Sequence, residues 1–221
     1  MDTIEEKCGE EDIDMNILVD YLRGTRMEKE GSSKTLFEKI NKNLEEKIKK
    51  EKEKEKKKKN NENNSEKIGK NNEKKNQTKK KPNFYFFLTP EYTGMWKKIL
   101  PKRLNETLGV QHIKIYLFDE KLIISGANLS KDYFTNRQDR YIEIVDKSLS
   151  DFYWQFLCLV GDHSFFLSDG LLVPPSFNPS LQPEKFNSHF SQSVFFLLFF
   201  IYFFFFFYFF FYLFLFLFIF F

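Results

Sequence analysis

Three histidines occur in this 221-residue chain, and one of them, His112, stands two positions before Lys114. Residues alternate with period two over His112-Ile113-Lys114-Ile115-Tyr116-Leu117-Phe118. A strand here would project His112 and Lys114 from one face while Ile113, Ile115 and Leu117 pack on the other. Asp119-Glu120-Lys121 reads as a turn and Leu122-Ile123-Ile124-Ser125 as the returning arm, which ends at Gly126-Ala127-Asn128. Such a hairpin would bring Asn128 back to the His112 and Lys114 end. An imidazole, an ammonium and an amide gathered in one small volume suit phosphate chemistry. Imidazole attacks phosphorus or delivers a proton, while Lys114 and Asn128 donate to the non-bridging oxygens, and Gly126 permits close backbone approach. The competing reading of the spacing is that His112 and Lys114 decorate the exposed face of an edge hairpin.

The elements that must position these residues come from a small part of the chain, because its composition is segregated. Residues 42 to 81 hold 17 Lys and 8 Glu among 40 positions, with Leu44, Ile48 and Ile68 as the large aliphatic residues. This block offers little to bury and reads as a disordered insertion. Residues 194 to 221 carry no charge and hold 17 of the 30 Phe. The Lys-rich block contributes 17 − 8 = +9 to a chain of net charge +3, so the remainder is −6. The basic pI is the property of one segment, and a nucleic-acid partner is not implied. Cys8 and Cys158 lie far apart with no second Cys near either, which suggests neither a disulfide framework nor a Cys-based metal site. The first twelve residues hold six acids and one Lys, unlike a transit peptide or a secretory signal.

Within the remaining chain, Ile13, Ile17, Leu18, Tyr21 and Leu22 fall at helical spacing and predict a helix ending near Gly24. Ser32-Ser33-Lys34-Thr35 predicts the cap of a second helix bearing Leu36, Phe37 and Ile40. Phe84 to Leu88, between Pro82 and Pro90, predicts a buried strand. Met95 to Leu100 predicts a short helix, Asp151 to Val160 a packing helix, and Leu171 to Gln182 a loop.

The pattern His112-x-Lys114-x4-Asp119-x6-Gly126-x-Asn128 resembles the HKD signature of the phospholipase D superfamily. The surrounding stretch from Leu100 to Ile144 is similar to the first HKD region of the eukaryotic phosphatidylglycerophosphate synthases, and the likeness extends through Tyr133-Phe134-Thr135-Asn136-Arg137-Gln138-Asp139-Arg140. Asp20 to Arg26, Ser32 to Thr35 and Phe87 to Pro90 resemble that family's preceding segments. The resemblance implies an α/β fold, here a partial phospholipase D-like domain with a mixed sheet flanked by helices. The expected division is an N-terminal helical part (1–41), the disordered insertion (42–82), the HKD-bearing part (83–173), a linker (174–193) and a Phe-rich segment (194–221).

It further implies transfer of a phosphatidyl group from CDP-diacylglycerol to glycerol 3-phosphate through a phosphohistidine, without a metal or other cofactor, at a mitochondrial membrane. By matching positions His112 would be nucleophile or acid, Lys114 and Asn128 would hold the phosphoryl oxygens beside Gly126, and Asp119 would brace the motif. The family carries two such motifs in one site. His163 and His189 do not begin His-x-Lys, so the chain holds one motif, and a missing second half or a homodimer would complete the site. Two other functions stay open at this point: another phospholipase D superfamily phosphodiesterase, and a non-catalytic membrane-tethered remnant. The Phe-rich segment likewise has two readings. It is long enough for a membrane anchor, and an AT-rich gene read into an intron would yield the same composition.

Overall fold

In chain order the elements are β1 (Asn16–Asp20), α1 (Tyr21–Thr25), α2 (Ser33–Glu62), β2 (Asn83–Phe87), β3 (Ile115–Phe118), β4 (Lys121–Ser125), α3 (Lys131–Thr135), β5 (Tyr141–Val145), α4 (Lys147–Asp162), β6 (Phe165–Ser168), β7 (Leu171–Val173) and α5 (Pro183–Phe220). This computed structural model describes residues 7, 13–27, 31–62, 80–91, 109–128 and 130–220. The class is α/β, with two sheets and flanking helices. One four-stranded sheet runs β1-β2-β6-β7 and one three-stranded sheet runs β3-β4-β5. The chain divides into two compact units, Met1–Phe86 with Phe165–Val173, and Phe87–Ser164 with Pro174–Phe221.

In the first unit the expected helix over Ile13 to Gly24 is replaced by strand β1 followed by the single turn α1. The aliphatic run Ile17-Leu18-Val19 suits a buried strand as well as a helix face, and a sheet neighbour decides the matter: Asn83 N donates to Met15 O at 2.9 Å. Asp20, 7% exposed, ends the strand and caps α1, its Oδ1 accepting from Arg23 N at 2.8 Å. The second helix forms where the sequence places it. Ser32 Oγ accepts from Thr35 N while Ser32 N donates to Thr35 Oγ1, a reciprocal cap. Phe37, Ile40 and Leu44 recur at helical spacing and are buried, with the Phe37 ring stacked on Phe84 at 4.2 Å.

Helix α2 then continues through Glu62, so residues 42–62 of the expected disordered insertion are helical. Leu44 is 3% exposed and Lys81 pairs with Glu45 at 2.6 Å. A helix already nucleated by its buried first turns extends at little cost through Lys and Glu, which are good helix formers. Residues 63–79 of that block lie outside the described residues.

In the second unit α4 starts at Asp146, whose carboxylate accepts from Leu149 N at 2.7 Å. It packs on β4, where Leu122 is fully buried. The predicted short helix over Met95 to Leu100 falls outside the described residues. In the first unit the predicted loop from Leu171 begins instead as β7, antiparallel to β6, and only then becomes irregular. The Phe-rich segment is helical as far as Phe220. Along it Phe195, Phe199, Phe203 and Phe207 are exposed. Among the described residues no helix is long and apolar enough to cross a membrane.

Candidate functional site

The hairpin that carries the motif is built from side-chain alternation and one tight turn. β3 and β4 pair antiparallel from Ile115↔Ile124 to Phe118↔Lys121. The two-residue connection is Asp119-Glu120, and Asp119 takes φ +53°, a conformation that Asp tolerates better than most residues. Regular strand begins at Ile115 rather than His112, but the ladder reaches one residue further, since Ser125 N donates to Lys114 O at 3.2 Å. A third strand, which the sequence did not suggest, holds β4 from its other side in the register Leu122↔Ile144 and Ile124↔Ile142.

At the open end of this hairpin His112 and Lys114 lie together. Lys114 Nζ is 3.0 Å from His112 Nδ1 and 3.1 Å from His112 O. An ammonium has no lone pair, so Nδ1 accepts, and in this arrangement a neutral His112 carries its proton on Nε2. Residues 126 to 128 leave the ladder at the end where 112 to 114 enter it. Asn128 is half-buried there, its carbonyl accepting from Ser130 N at 2.8 Å. Ser125 Oγ accepts from Ala127 N at 2.9 Å and Ala127 is 1% exposed, which fixes the path of the chain between Gly126 and Asn128.

Two placements bear on the roles that the resemblance implies. Asp119 sits exposed in the turn, at the opposite end of the four paired rows from Lys114. At about 3.4 Å per residue this separates it from the pair by more than 10 Å along the strand. Gly126 does permit close approach, but the group that approaches is Asp139: a Cβ on Gly126 would stand 3.0 Å from both carboxylate oxygens. Nothing in the residue pattern gives Asp139 a role. Its only signal was its place in the stretch following Asn128. Helix α3 and the turn after it deliver it, with Asn136 N and Arg137 N both donating to Asp132 O and the Arg137 guanidinium 5.4 Å from the centre of the Tyr133 ring. Asp139 Oδ1 also accepts from Arg140 N at 2.7 Å.

The other two histidines are spent on each other. His163, 7% exposed, has Nδ1 2.8 Å from Leu159 O and Nε2 2.8 Å from His189 Nδ1. With both rings neutral, His163 Nδ1 donates to the Leu159 carbonyl and His189 Nδ1 donates to His163 Nε2. These imidazoles, with Trp154, Cys158, Asp162 and Phe177, line a cavity of about 450 Å³ in the second unit. Burial first, and the Asp162 charge second, push the Cys158 thiol up, which keeps it protonated and a poor nucleophile. On the hairpin, burial and then Tyr141 push the Tyr116 phenol up, so it stays neutral. Among the described residues no group of three His, Cys, Asp or Glu side chains could hold a metal ion.

What the hairpin presents is one imidazole and one ammonium in contact, on an α/β frame. Comparison with known proteins says what this chain is similar to. The chain is 47% identical over 106 residues to the CDP-diacylglycerol--glycerol-3-phosphate 3-phosphatidyltransferase of Saccharomyces cerevisiae, covering 45% of this chain and 20% of that protein. It is 46% identical over 97 residues to the human enzyme of the same name, designated mitochondrial, covering 40% and 17%. It is 52% identical over 79 residues to the chicken mitochondrial enzyme, covering 35% and 14%. The resemblance to the eukaryotic phosphatidylglycerophosphate synthases therefore holds, and it is partial: the chain spans no more than about a fifth of the length of these relatives. No family model matches the chain. No solved structure matches it.

Proposed function

We propose that the chain carries the first half of a phosphatidyl-transfer site, which moves the phosphatidyl group of CDP-diacylglycerol to glycerol 3-phosphate and releases CMP. The observation that carries this reading is the contact of His112 with Lys114 at the open end of the β3-β4 hairpin, in a chain similar to three enzymes named for that reaction. His112 attacks the phosphorus bearing the diacylglycerol, the bond to CMP breaks, and a phosphohistidine remains. A hydroxyl of glycerol 3-phosphate then attacks that phosphorus, giving phosphatidylglycerophosphate and returning His112. Lys114 and Asn128 donate to the non-bridging oxygens through both displacements. The protonation of departing CMP needs a second group, which a second copy of the motif supplies, either from another part of a longer chain or from a partner chain. Membrane lipid is the source of the substrate, and the location is the mitochondrion that the vertebrate relatives' names give.

The test is transfer of labelled glycerol 3-phosphate into lipid by purified chain in detergent with CDP-diacylglycerol. Acid–base assistance contributes on the order of a hundred- to ten-thousand-fold, so the chain alone gives a faint rate. Supplying the rest of the yeast relative raises that rate, and His112→Ala removes the gain. The proposal falls if the supplemented mixture forms no phosphatidylglycerophosphate, or if it does so equally well with His112→Ala. Release of phosphatidic acid without transfer would instead mark a hydrolase.

A further inference from the structure

Helix α2 has two halves with opposite surroundings. Its first half is anchored through Phe37, Ile40 and Leu44, all at most 6% exposed. Beyond the half-buried Ile48, Lys49, Lys50, Lys52, Lys54, Lys56 and Lys57 are all exposed, as are Glu51 and Glu53. From Lys47 to Lys59 the sequence holds nine Lys and three Glu, a net charge of 9 − 3 = +6 within a chain of net +3. The rest of the protein is therefore net negative, and the positive charge is concentrated on this solvated arm.

We propose that the second half of α2 is an electrostatic dock for an anionic lipid surface. A helix is fixed in shape, so its lysines present a rod of charge to a plane, and a plane of mobile anionic headgroups accepts such a rod in any register. The arm has no aromatic side chain between Phe37 and Glu62 on which bases could stack, and the remaining negative charge opposes wrapping by a polyanion. The choice of a lipid partner rests on the substrate class proposed above, while the charge distribution stands without it.

The experiment is co-sedimentation of the full chain with vesicles of phosphatidylcholine alone and with about a third phosphatidylglycerol. Association should be strong only with the anionic vesicles and should weaken steeply between low and half-molar salt, as screened charges require. The variant Lys49→Gln, Lys50→Gln, Lys52→Gln, Lys54→Gln, Lys56→Gln, Lys57→Gln keeps good helix formers throughout. With about half of these lysines near the surface at once, it should bind anionic vesicles roughly a hundredfold more weakly. Binding that survives in this variant, or that is equal on neutral vesicles and insensitive to salt, would place attachment on the Phe-rich helix and overturn the proposal. Tighter association of the arm with single-stranded RNA than with anionic vesicles would also overturn it. Transfer in detergent, which needs no vesicle, reports separately on the catalytic reading.

Discussion

The ammonium of Lys114 rests on the Nδ1 lone pair of His112 at 3.0 Å, and this pairing leaves the imidazole proton on Nε2. A phosphoryl oxygen is a better acceptor for that ammonium than a neutral ring nitrogen, because the bond is then assisted by both charges. On the proposed reading, an arriving phosphate would draw Lys114 away and leave His112 free to exchange tautomers. Activation of His112 would then be coupled to occupancy of the site.

The first prediction concerns that coupling. Imidazole 15N spectra of the free chain should show His112 protonated at Nε2 with Nδ1 as acceptor. Inorganic phosphate, or Lys114→Met, should shift the Nδ1 signal. A His112 spectrum identical in the wild type, the variant and the phosphate-bound state would show that the two side chains do not communicate.

Gly126→Ala should destabilise the second unit, because its methyl would meet the Asp139 carboxylate at 3.0 Å. Both positions are exposed, and the carboxylate is the end of a flexible side chain that can give way. The cost therefore stays below about 1 kcal/mol, under the range for a packed core, and Gly126 lies outside the positive-φ residues, so backbone strain adds nothing. Combining Gly126→Ala with Asp139→Ala should recover much of the loss in a denaturation-based double-mutant cycle. Strict additivity of the two changes would mean that the carboxylate does not occupy that space.

Lys81 holds the Glu45 carboxyl below the usual carboxylate range, through the hydrogen bond first and charge attraction second. A depressed folded value means that the stabilisation is present above the unfolded carboxylate pKa of about 4.3 and is lost as pH falls through the lower folded value. Both side chains are exposed by a third or more, so the contribution is small and screened by salt. Acid unfolding of wild type and Lys81→Gln should differ near neutrality at low salt, converge below pH 4, and coincide throughout in half-molar salt. A difference that persists in acid would assign the effect to packing of the lysine stem.

Ser150 is 2% exposed in α4 and its hydroxyl has no hydrogen-bond partner among the described residues. Ser150→Ala removes an unsatisfied polar atom and improves helix propensity, so it should stabilise the chain by about 1 kcal/mol. Thermal unfolding measures it, and a lower melting temperature would reveal a partner for the hydroxyl.

The sequence made the local parts of this protein readable and left the non-local parts obscure. Alternation from His112 to Ser125 specifies a hairpin because both arms and the turn lie within one short stretch. The cap at Ser32 and the stripe Phe37, Ile40, Leu44 are legible for the same reason. Misreadings arose where distant residues decide. Ile17-Leu18-Val19 is ambiguous until the strand at Asn83 is beside it. The helical continuation through Lys42 to Glu62 depends on anchorage in the preceding turns. Asp139 could not be tied to Gly126 because the distance between them is set by the fold of α3 and the turn that follows, which no period in the sequence encodes.

The hairpin also has a kinetic meaning. His112, Lys114, Gly126 and Asn128 fall within seventeen consecutive residues, so bringing them together closes only a short loop, and hairpins of this size form in about 1 to 10 μs. An isolated hairpin is only marginally stable and persists once Leu122 is covered by α4. The contact of His112 with Lys114 thus needs no sequence-distant closure, so it is open to the chain early in folding. Mutations elsewhere should then alter how long the arrangement survives rather than how fast it is reached.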